Sequence, residues 1–273
     1  MKRFRVGSVP YVNAAPLIWW FESQGSSSPV DVLCDVPSAL PARLESGQVS
    51  AILVSSIEAI QNPDREIIDG VCIASHGPVE SVRVFSRLPF AQIKTLALDE
   101  SSMTSNALAQ ILLSEIHGVK PKTITMPPDI HQMLKVADAC VIIGDRGMTA
   151  QMPGVRIMDL GETWTDHTGL PFVWATWTGE SGVDRELAYW LNHAAQQGSI
   201  HSGNWPEVVR YAQMESAWSL DLIERYLTDC IQFELGSEEK KGLELYAQKL
   251  VEHGLVSSAK RLKFVRGRNP AST

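Results

Sequence analysis

The chain has 273 residues, of which 44% are hydrophobic and 20% are charged, a balance typical of a folded globular protein rather than a disordered one. Its 24 lysines and arginines against 31 aspartates and glutamates give a formal net charge of −7, which argues against a general nucleic-acid-binding protein. The apolar runs, such as Leu170–Trp177, fall far short of the ~20 residues that span a bilayer. We therefore expect neither a nucleic-acid partner nor a membrane partner.

The cysteines and the N-terminal segment indicate the compartment. The four cysteines are Cys34, Cys72, Cys140 and Cys230. They form no CxxC pair and have no histidine at ligand spacing, so we predict no metal site and interpret each as a small apolar residue in a reducing compartment. The chain begins basic and continues apolar, but Pro10, Asn13 and Pro16 interrupt the apolar region that a signal peptide would need. The expected localisation is cytoplasmic.

The first third of the chain alternates between short apolar runs and helix-start signals. The predicted elements are a strand at Phe4–Val9, a helix from Pro16, a strand at Val30–Val36, a short helix capped by Ser38, a strand at Ala51–Val54 and a helix from about Ile57. This alternation predicts an α/β fold with a mostly parallel sheet covered by helices.

The middle of the chain repeats this pattern, and the last third is helical. The predicted elements are strands at Val82–Phe85 and Lys94–Leu98, a helix after Ser101–Ser105, a helix at Asp129–Val136, a strand at Ala139–Ile143, and helices at Asp184–Gln197, from Ser219, and from Ser237 to Gly254. Two α/β units joined in mid-chain predict two lobes with a cleft between them. With chain crossings near Val82–Phe85 and Phe172–Trp177, residues 1–84 and 175–273 form the first lobe and residues 85–174 the second.

Three hydroxyl-rich turns stand directly before predicted helices, at Tyr11–Asn13, Val54–Ser56 and Ser101–Asn106. In parallel α/β sheets, ligands bind at the carboxyl ends of strands, where these turns are expected. Helix N-termini carry free N–H groups and partial positive charge, which suit a carboxylate or a phosphate. Plain helix capping explains any one such turn more simply, but the three together favour a small anionic ligand in the cleft.

Other polar residues are expected near the same place. Ser81 ends the stretch His76-Gly77-Pro78-Val79-Glu80-Ser81 and would point into the cleft if Val82 points away from it. Asp145 and Arg146 follow a predicted buried strand, although a surface position or an ion pair is the simpler interpretation of the arginine. The sequence contains no GxGxxG, P-loop, GxSxG or HExxH motif, which argues against nucleotide, serine-hydrolase and zinc-protease chemistry.

Several short motifs follow one another along the chain. They are Ser8-Val9-Pro10-Tyr11-Val12-Asn13-Ala14-Ala15-Pro16-Leu17, Leu53–Glu58, His76–Val82, Leu98–Ser105, Ile143–Asp145, Asp159–Trp164 and Thr168–Val173. In this order they resemble the chorismate dehydratase family of menaquinone biosynthesis. Each motif is weak alone, but together they extend over Val6 to Gly254 and are specific.

The resemblance implies a two-lobed periplasmic-binding-protein-like α/β fold of type II with C-terminal helices, used by a cytoplasmic enzyme. It implies that chorismate loses water to give 3-[(1-carboxyvinyl)oxy]benzoate, the first step of the futalosine route, without a metal or organic cofactor. The implied partner is this small-molecule substrate, and a homodimer is left open.

The site residues are predicted on the same basis. Asn13 and Ser81 are expected to be catalytic and to orient the reacting groups. The expected substrate-binding residues are Tyr11, Ser55, Ser56, Thr104, Ser105, Gly144 and Asp145. Glu58 and Glu80 are expected to face helix or solvent. We therefore hypothesise that the enolpyruvyl carboxylate of chorismate itself takes the proton.

Three alternatives stay open. A sister enzyme of the same superfamily acts on cyclic dehypoxanthine futalosine, but it carries a histidine after its equivalent of Ala139–Ile143, where this chain has Gly144-Asp145. A non-enzymatic solute-binding protein would be expected to carry a secretory signal. The effector-binding part of a transcription regulator would be expected to carry a basic helix-turn-helix.

Two residues depart from the dehydratase pattern. Met103 stands where the pattern has a basic residue, and Arg146 stands where it has a small residue or proline.

Overall fold

The computed structural model describes residues 3–62, 64–150, 152–214, 216–259 and 261–272. The strands, in chain order, are β1 (Phe4–Ser8), β2 (Val30–Cys34), β3 (Ala51–Ser55), β4 (Glu66–Ser75), β5 (Val82–Ser86), β6 (Thr95–Asp99), β7 (Lys122–Met126), β8 (Ala139–Ile143), β9 (Arg156–Asp159), β10 (Phe172–Gly179) and β11 (Phe264–Val265). The helices are α1 (Ala15–Gln24), α2 (Leu40–Glu45), α3 (Ser56–Gln61), α4 (Met103–His117), α5 (Ile130–Val136), α6 (Gly144–Thr149), α7 (Leu160–Thr168), α8 (Arg185–Gln197), α9 (Trp205–Met214), α10 (Leu220–Arg225) and α11 (Ser237–Glu252).

The chain divides into two compact units. The first consists of Met1–Ala74, Ala175–Lys240 and Lys260–Thr273, and the second consists of Ser75–Trp174 and Lys241–Ala259. Both units are therefore discontinuous in sequence, and β4, β10 and α11 each contain a point at which the chain passes from one unit to the other.

The first unit is built on a six-stranded sheet of order β11-β4-β10-β3-β1-β2. Strand β1 pairs in parallel with β2 and with β3, and β10 pairs antiparallel with β3. Residues 51–54 of β3 are buried, as expected for a continuous apolar run in an inner strand. The parallel part of the sheet was predicted, and the antiparallel β10 was not.

The second unit is built on a five-stranded sheet of order β7-β6-β8-β5-β9. Strand β6 is parallel to β7 and β8, whereas β5 runs antiparallel to both β8 and β9. Its core contains the buried residues Phe85, Ala97, Met133, Leu134, Ala137, Cys140 and Ile142. The sheet is therefore mixed.

The unit boundaries differ from the predicted ones in two places. The second unit begins at Ser75 rather than at residue 85, because β5 pairs along its whole length with strands of the second sheet. Lys241–Ala259 also belongs to the second unit rather than to the first. The reason is the ring of Tyr246, which packs edge-on against Phe172 and Trp164 with centroids 4.9 and 6.2 Å apart.

Some elements were missed from the sequence. Strand β4 contains Asp69 and Gly70, which break its apolar pattern, and Gly70 has a positive φ of 87°. Strand β7 lies at a sheet edge and has no buried residue, so its sequence has no apolar run. Ser38 is not a helix cap, since it lies inside a 3₁₀ turn at Pro37–Ala39 whose cap makes no side-chain hydrogen bond.

Candidate active site

In the first unit, the predicted site residues lie at one edge of the sheet. Strands β1 and β3 are parallel neighbours, so their carboxyl ends share this edge. A 3₁₀ turn at Val12–Ala14 follows β1 and carries Asn13, which is half-buried. Tyr11 precedes it and is 46% exposed. Ser55 ends β3 and Ser56 begins α3, so the structure places four predicted site residues at this edge.

Helix capping does not account for the side chains of Ser55 and Tyr11 at this edge. Ser55 occupies the N-cap of α3, but its side chain makes no capping hydrogen bond. Tyr11 occupies the same position before the 3₁₀ turn and also makes none. The simpler interpretation of these two turns, that their side chains only cap helices, is therefore not supported by the geometry.

In the second unit, the predicted residues also lie at one edge of a sheet. The parallel strands β6 and β8 end there, and the antiparallel β5 begins there with Val82 opposite Ile143. Ser81 directly precedes β5. Thr104 and Ser105 lie in the first turn of α4, and Gly144 and Asp145 begin α6. The structure thus brings these five predicted residues to the same edge.

The start of α4 combines a helix cap with buried hydroxyls. Ser102 is the N-cap, and its Oγ accepts from the backbone N–H of Ser105 at 3.3 Å and donates to Ser105 Oγ at 2.8 Å. Capping is thus the role of Ser102, whereas Thr104 and Ser105 are only 2% and 4% exposed. The phenol of Tyr246 donates to the carbonyl of Thr104 at 3.0 Å, and burial raises the pKa of this phenol well above its ordinary value. With 15 residues, α4 presents the partial positive charge of a full-length helix at this edge.

Asp99, the last residue of β6, lies beside this turn and was not predicted as a site residue. It is 1% exposed, and its Oδ1 accepts from the backbone N–H of Ser101 at 2.8 Å. Its Oδ2 is buried and has no hydrogen-bond partner among the described residues. The carboxylate stands in a motif that resembles the family, and this is the signal that could have identified it.

Ser81 ends a tightly folded turn. Glu80 is the one non-glycine residue with positive φ in the described part of the chain, at 58°. The backbone N–H of Ser81 donates to the carbonyl of Val79 at 2.7 Å, and Ser81 is 4% exposed. His76, at the start of the turn, is exposed. The predicted interpretation of His76 as a turn residue therefore fits its position.

Gly144 and Asp145 lie on the surface at the start of α6. Gly144 has a φ of 63°, a conformation that favours glycine. Partial desolvation raises the pKa of the Asp145 carboxyl above its ordinary value. Arg146, beside them, donates from Nη1 to the carbonyl of Pro128 at 2.7 Å, so it holds the start of α5.

Two further side chains bear on the predicted chemistry. Glu58 accepts from Arg65 Nη1 at 2.5 Å and from Asn62 Nδ2 at 3.0 Å, so its carboxylate takes part in a local ion pair. Met103, where the resemblance led us to expect a basic residue, is 51% exposed at the start of α4. In the described ranges, no group of three or more histidines, cysteines, aspartates and glutamates could hold a metal ion. Nor does any helix in those ranges have the length and apolar character to cross a membrane.

Comparison with solved structures gives the class of the fold. The periplasmic aliphatic sulphonate binding protein SsuA from Escherichia coli superposes with a TM-score of 0.65 at 16% identity, covering 98% of this chain and 95% of that one. The fold is therefore periplasmic-binding-protein-like, as predicted.

Sequence comparison gives the family. A family model described as menaquinone biosynthesis matches residues 4–252, and the chain belongs to this family. A protein from Thermus thermophilus named chorismate dehydratase is 28% identical over 92% of this chain and 96% of its own length. A chorismate dehydratase from Campylobacter jejuni is 28% identical over 62% of this chain and 64% of its own length.

Proposed function

We propose that the protein is a chorismate dehydratase, a carbon–oxygen lyase that converts chorismate to 3-[(1-carboxyvinyl)oxy]benzoate in the futalosine route to menaquinone. The observation that carries this proposal is the match, over nearly the whole of both chains, to a relative named for that activity. The family membership and the positions of the predicted residues at two sheet edges support it.

The proposed reaction removes one proton and one hydroxide from neighbouring ring carbons. The carbon that bears the enol ether loses its proton, and the electron pair of that C–H bond forms a new ring double bond. The next carbon loses its hydroxyl, which takes up the proton lost by the first carbon and leaves as water. Because the product ring is aromatic, much of the driving force lies in the substrate. The protein has to bind the two carboxylates, select the reactive conformer and orient the reacting groups.

The enolpyruvyl carboxylate of the substrate is the proposed proton acceptor. Among the protein carboxylates near the motif turns, Glu58 is already engaged by Arg65 and Asn62. Removal of the proton spreads negative charge from the ring carbon towards the ring carboxylate. A helix N-terminus such as that of α4 stabilises such charge.

The residue roles remain proposals. Asn13 and Ser81 orient the reacting groups through neutral donors and acceptors. The substrate contacts are Tyr11, Ser55 and Ser56 in the first unit and Thr104, Ser105, Gly144 and Asp145 in the second. The four cysteines form no disulfide among the described residues, and the cytoplasm stays the proposed compartment. A homodimer stays a prediction that light scattering would check.

The test is incubation of the purified protein with chorismate, followed by ultraviolet absorbance and mass spectrometry. We expect an aromatic product lighter than chorismate by one water. Ser81→Ala should lower kcat by about tenfold or more, on the scale of one lost transition-state contact. Ser86→Ala is the matched control, because Ser86 is a buried serine at the other end of β5 whose hydroxyl bonds Leu88. It should lose stability and keep its turnover.

Other outcomes separate the alternatives. Turnover of cyclic dehypoxanthine futalosine without turnover of chorismate would assign the sister activity. Tight binding of chorismate or another small anion without any turnover would assign a non-enzymatic binding protein. If Glu80→Gln abolished turnover while chorismate still bound, the substrate carboxylate would not be the base.

A further inference from the structure

The carboxylate of Asp159 accepts hydrogen bonds from four backbone N–H groups. Its Oδ1 accepts from Val79 at 3.0 Å, Gly161 at 2.9 Å and Glu162 at 3.1 Å, and its Oδ2 accepts from Glu80 at 2.7 Å. Asp159 is 9% exposed. One side chain therefore holds both the start of its own helix, α7, and a turn far away in sequence.

Helix capping explains only half of these bonds. Asp129, the N-cap of α5, accepts from the N–H groups of His131 and Gln132 and from no other backbone group among its hydrogen bonds. Asp159 makes the same two bonds to α7. The additional bonds to Val79 and Glu80 need another explanation.

The turn that Asp159 holds has an unfavourable backbone. Glu80 has a φ of 58°, a region in which its Cβ crowds the following carbonyl oxygen. Ser81 closes a three-residue turn through its 2.7 Å bond to Val79. Such conformations persist only where the surrounding structure holds them, and here the bonds to Asp159 lie on both residues that precede Ser81.

Helix α7, which Asp159 caps, contacts the same turn at two other points. Thr165 Oγ1 accepts from the N–H of Gly77 at 2.9 Å. A Cβ on Gly161 would lie 2.7 Å from the carbonyl oxygen of Gly77 and 2.8 Å from Ser75 Oγ, so only glycine permits this approach. The close packing of α7 against the turn thus depends on the Asp159–Thr165 segment as a whole.

Helix α6 also packs closely against this turn. A Cβ on Gly147 would lie 2.5 Å from the carbonyl oxygen of Ser81 and 2.9 Å from that of Ile142. Ser81 is therefore confined on two sides. The Asp159 carboxylate holds the two residues before it, and α6 approaches its carbonyl closely because Gly147 has no side chain.

From this geometry we propose that Asp159 is a positioning residue for Ser81. It acts through the backbone of Val79 and Glu80 and holds Ser81 in the orientation that turnover requires. The inference rests on the proposed catalytic role of Ser81. It gives the Asp159–Trp164 motif a function, since a small displacement of an orienting hydroxyl lowers the rate of a reaction that depends on geometry.

The sharpest test is Asp159→Asn. With the carboxamide oxygen at the Oδ1 position, the asparagine keeps the bonds from Val79, Gly161 and Glu162. It loses the bond from Glu80 and the charge that faces Arg83 Nε at 3.9 Å. We expect kcat to fall by about tenfold or more with KM changed less than threefold. Asp129→Asn is the matched control, because it alters a helix cap that makes no bond to this turn. It should leave kcat unchanged.

A second variant distinguishes positioning from general destabilisation. Glycine adopts a φ near 58° without a steric penalty, so Glu80→Gly in the Asp159→Asn protein should restore part of the lost kcat. Amide hydrogen exchange gives a readout besides activity. The N–H of residue 80 should exchange at least tenfold faster in Asp159→Asn than in the unaltered protein, and the amides of α7 should keep their rates.

The outcomes are separable. Unchanged kcat in Asp159→Asn, an equal loss in Asp129→Asn, or no recovery with Glu80→Gly would overturn the positioning role. If the unaltered protein does not dehydrate chorismate, the proposed function fails instead. The exchange measurement then still decides whether Asp159 holds the turn, and unchanged exchange at residue 80 would reject it.

Discussion

The phenol of Tyr246, on α11, donates to the backbone carbonyl of Thr104, at the start of α4, across a 3.0 Å hydrogen bond. Both residues are buried, and 142 residues separate them in sequence. The C-terminal helix thus helps to fix the turn whose hydroxyls we propose as substrate contacts.

Removal of this phenol should affect both stability and binding. Tyr246→Phe leaves the buried carbonyl of Thr104 without this donor, so we expect a loss of about 1–2 kcal/mol in the free energy of unfolding. The KM for chorismate should rise as the turn loosens. Tyr189→Phe, which alters a half-buried tyrosine of the first unit, is the control and should change neither. Denaturant unfolding and steady-state kinetics measure the two effects.

The Thr104 hydroxyl can be tested without a change in volume. Thr104→Val keeps the branched shape and removes the hydroxyl. We therefore expect binding of chorismate or its product to weaken by about 1.5–3 kcal/mol, the range for a hydrogen bond to a charged group. Thr228→Val removes a hydroxyl that bonds the Arg225 carbonyl in the first unit and serves as the control. Calorimetric titration with the product gives both affinities, and equal affinities for the two variants would remove Thr104 from the site.

Asn13→Ala should lower kcat by about tenfold or more and leave the fold intact, because the half-buried amide offers a donor and an acceptor at the proposed site. Asn62→Ala is the matched control in the same unit. Asn62 follows the last residue of α3, and its side-chain amide donates to Glu58. Activity at the level of the unaltered protein in Asn13→Ala would exclude a catalytic role for Asn13.

Two glycines with similar backbones provide a paired test. Gly144 has a φ of 63° and Gly154 a φ of 76°, and a Cβ on either would meet no atom within 4 Å. Alanine at either position should therefore cost a similar amount, about 1–2 kcal/mol of backbone strain. Only Gly144→Ala should also reduce turnover, because Gly144 lies at the proposed site. Equal turnover in the two variants would contradict that role.

Glu115 should make stability depend on pH. Burial raises the pKa of its carboxyl, but hydrogen bonds from Lys249, His253 and His167 outweigh this and lower the pKa from 4.5 to about 2. Because the pKa is lower in the folded protein, the stabilisation is complete above pH 4.5 and is lost as the pH falls towards 2.

The stability that Glu115→Gln loses should thus be about 3 kcal/mol near pH 6 and should shrink between pH 4.5 and 2. Unfolding curves at several pH values measure it. Glu244→Gln, which changes an exposed glutamate on α11, is the control. A difference that stays constant down to pH 2 would show that the ion pairs of Glu115 do not stabilise the fold.

Whether a structural feature could be predicted from the sequence depends on how close in the chain its interacting residues lie. Strand β8 was predicted with its observed bounds because its apolar run is buried on both faces. Strand β7 was missed because an exposed edge strand needs no such run. The turns carrying Asn13, Ser81 and Thr104 could be located because each adjoins a readable strand or helix signal.

The support around those turns could not be predicted in the same way. Asp159 lies 80 residues from Val79, and no local pattern indicates that the two are bonded. The assignment of residues 241–259 to the second unit could not be predicted for the same reason, because the partners of Tyr246 lie in distant segments of the chain. The sequence thus located the candidate turns, while the contacts that hold them became visible only in three dimensions.

The interleaving of the two units has a consequence for synthesis on the ribosome. Residues 75–174 are translated long before α11, yet Phe172 and Trp164 pack against Tyr246 from that helix. Until α11 has left the exit tunnel, these large apolar rings lack part of their cover, and the nascent second unit remains incomplete. Co-translational folding therefore cannot finish one unit before the other begins, and a chain truncated before residue 241 would expose apolar surface of the kind that chaperones bind.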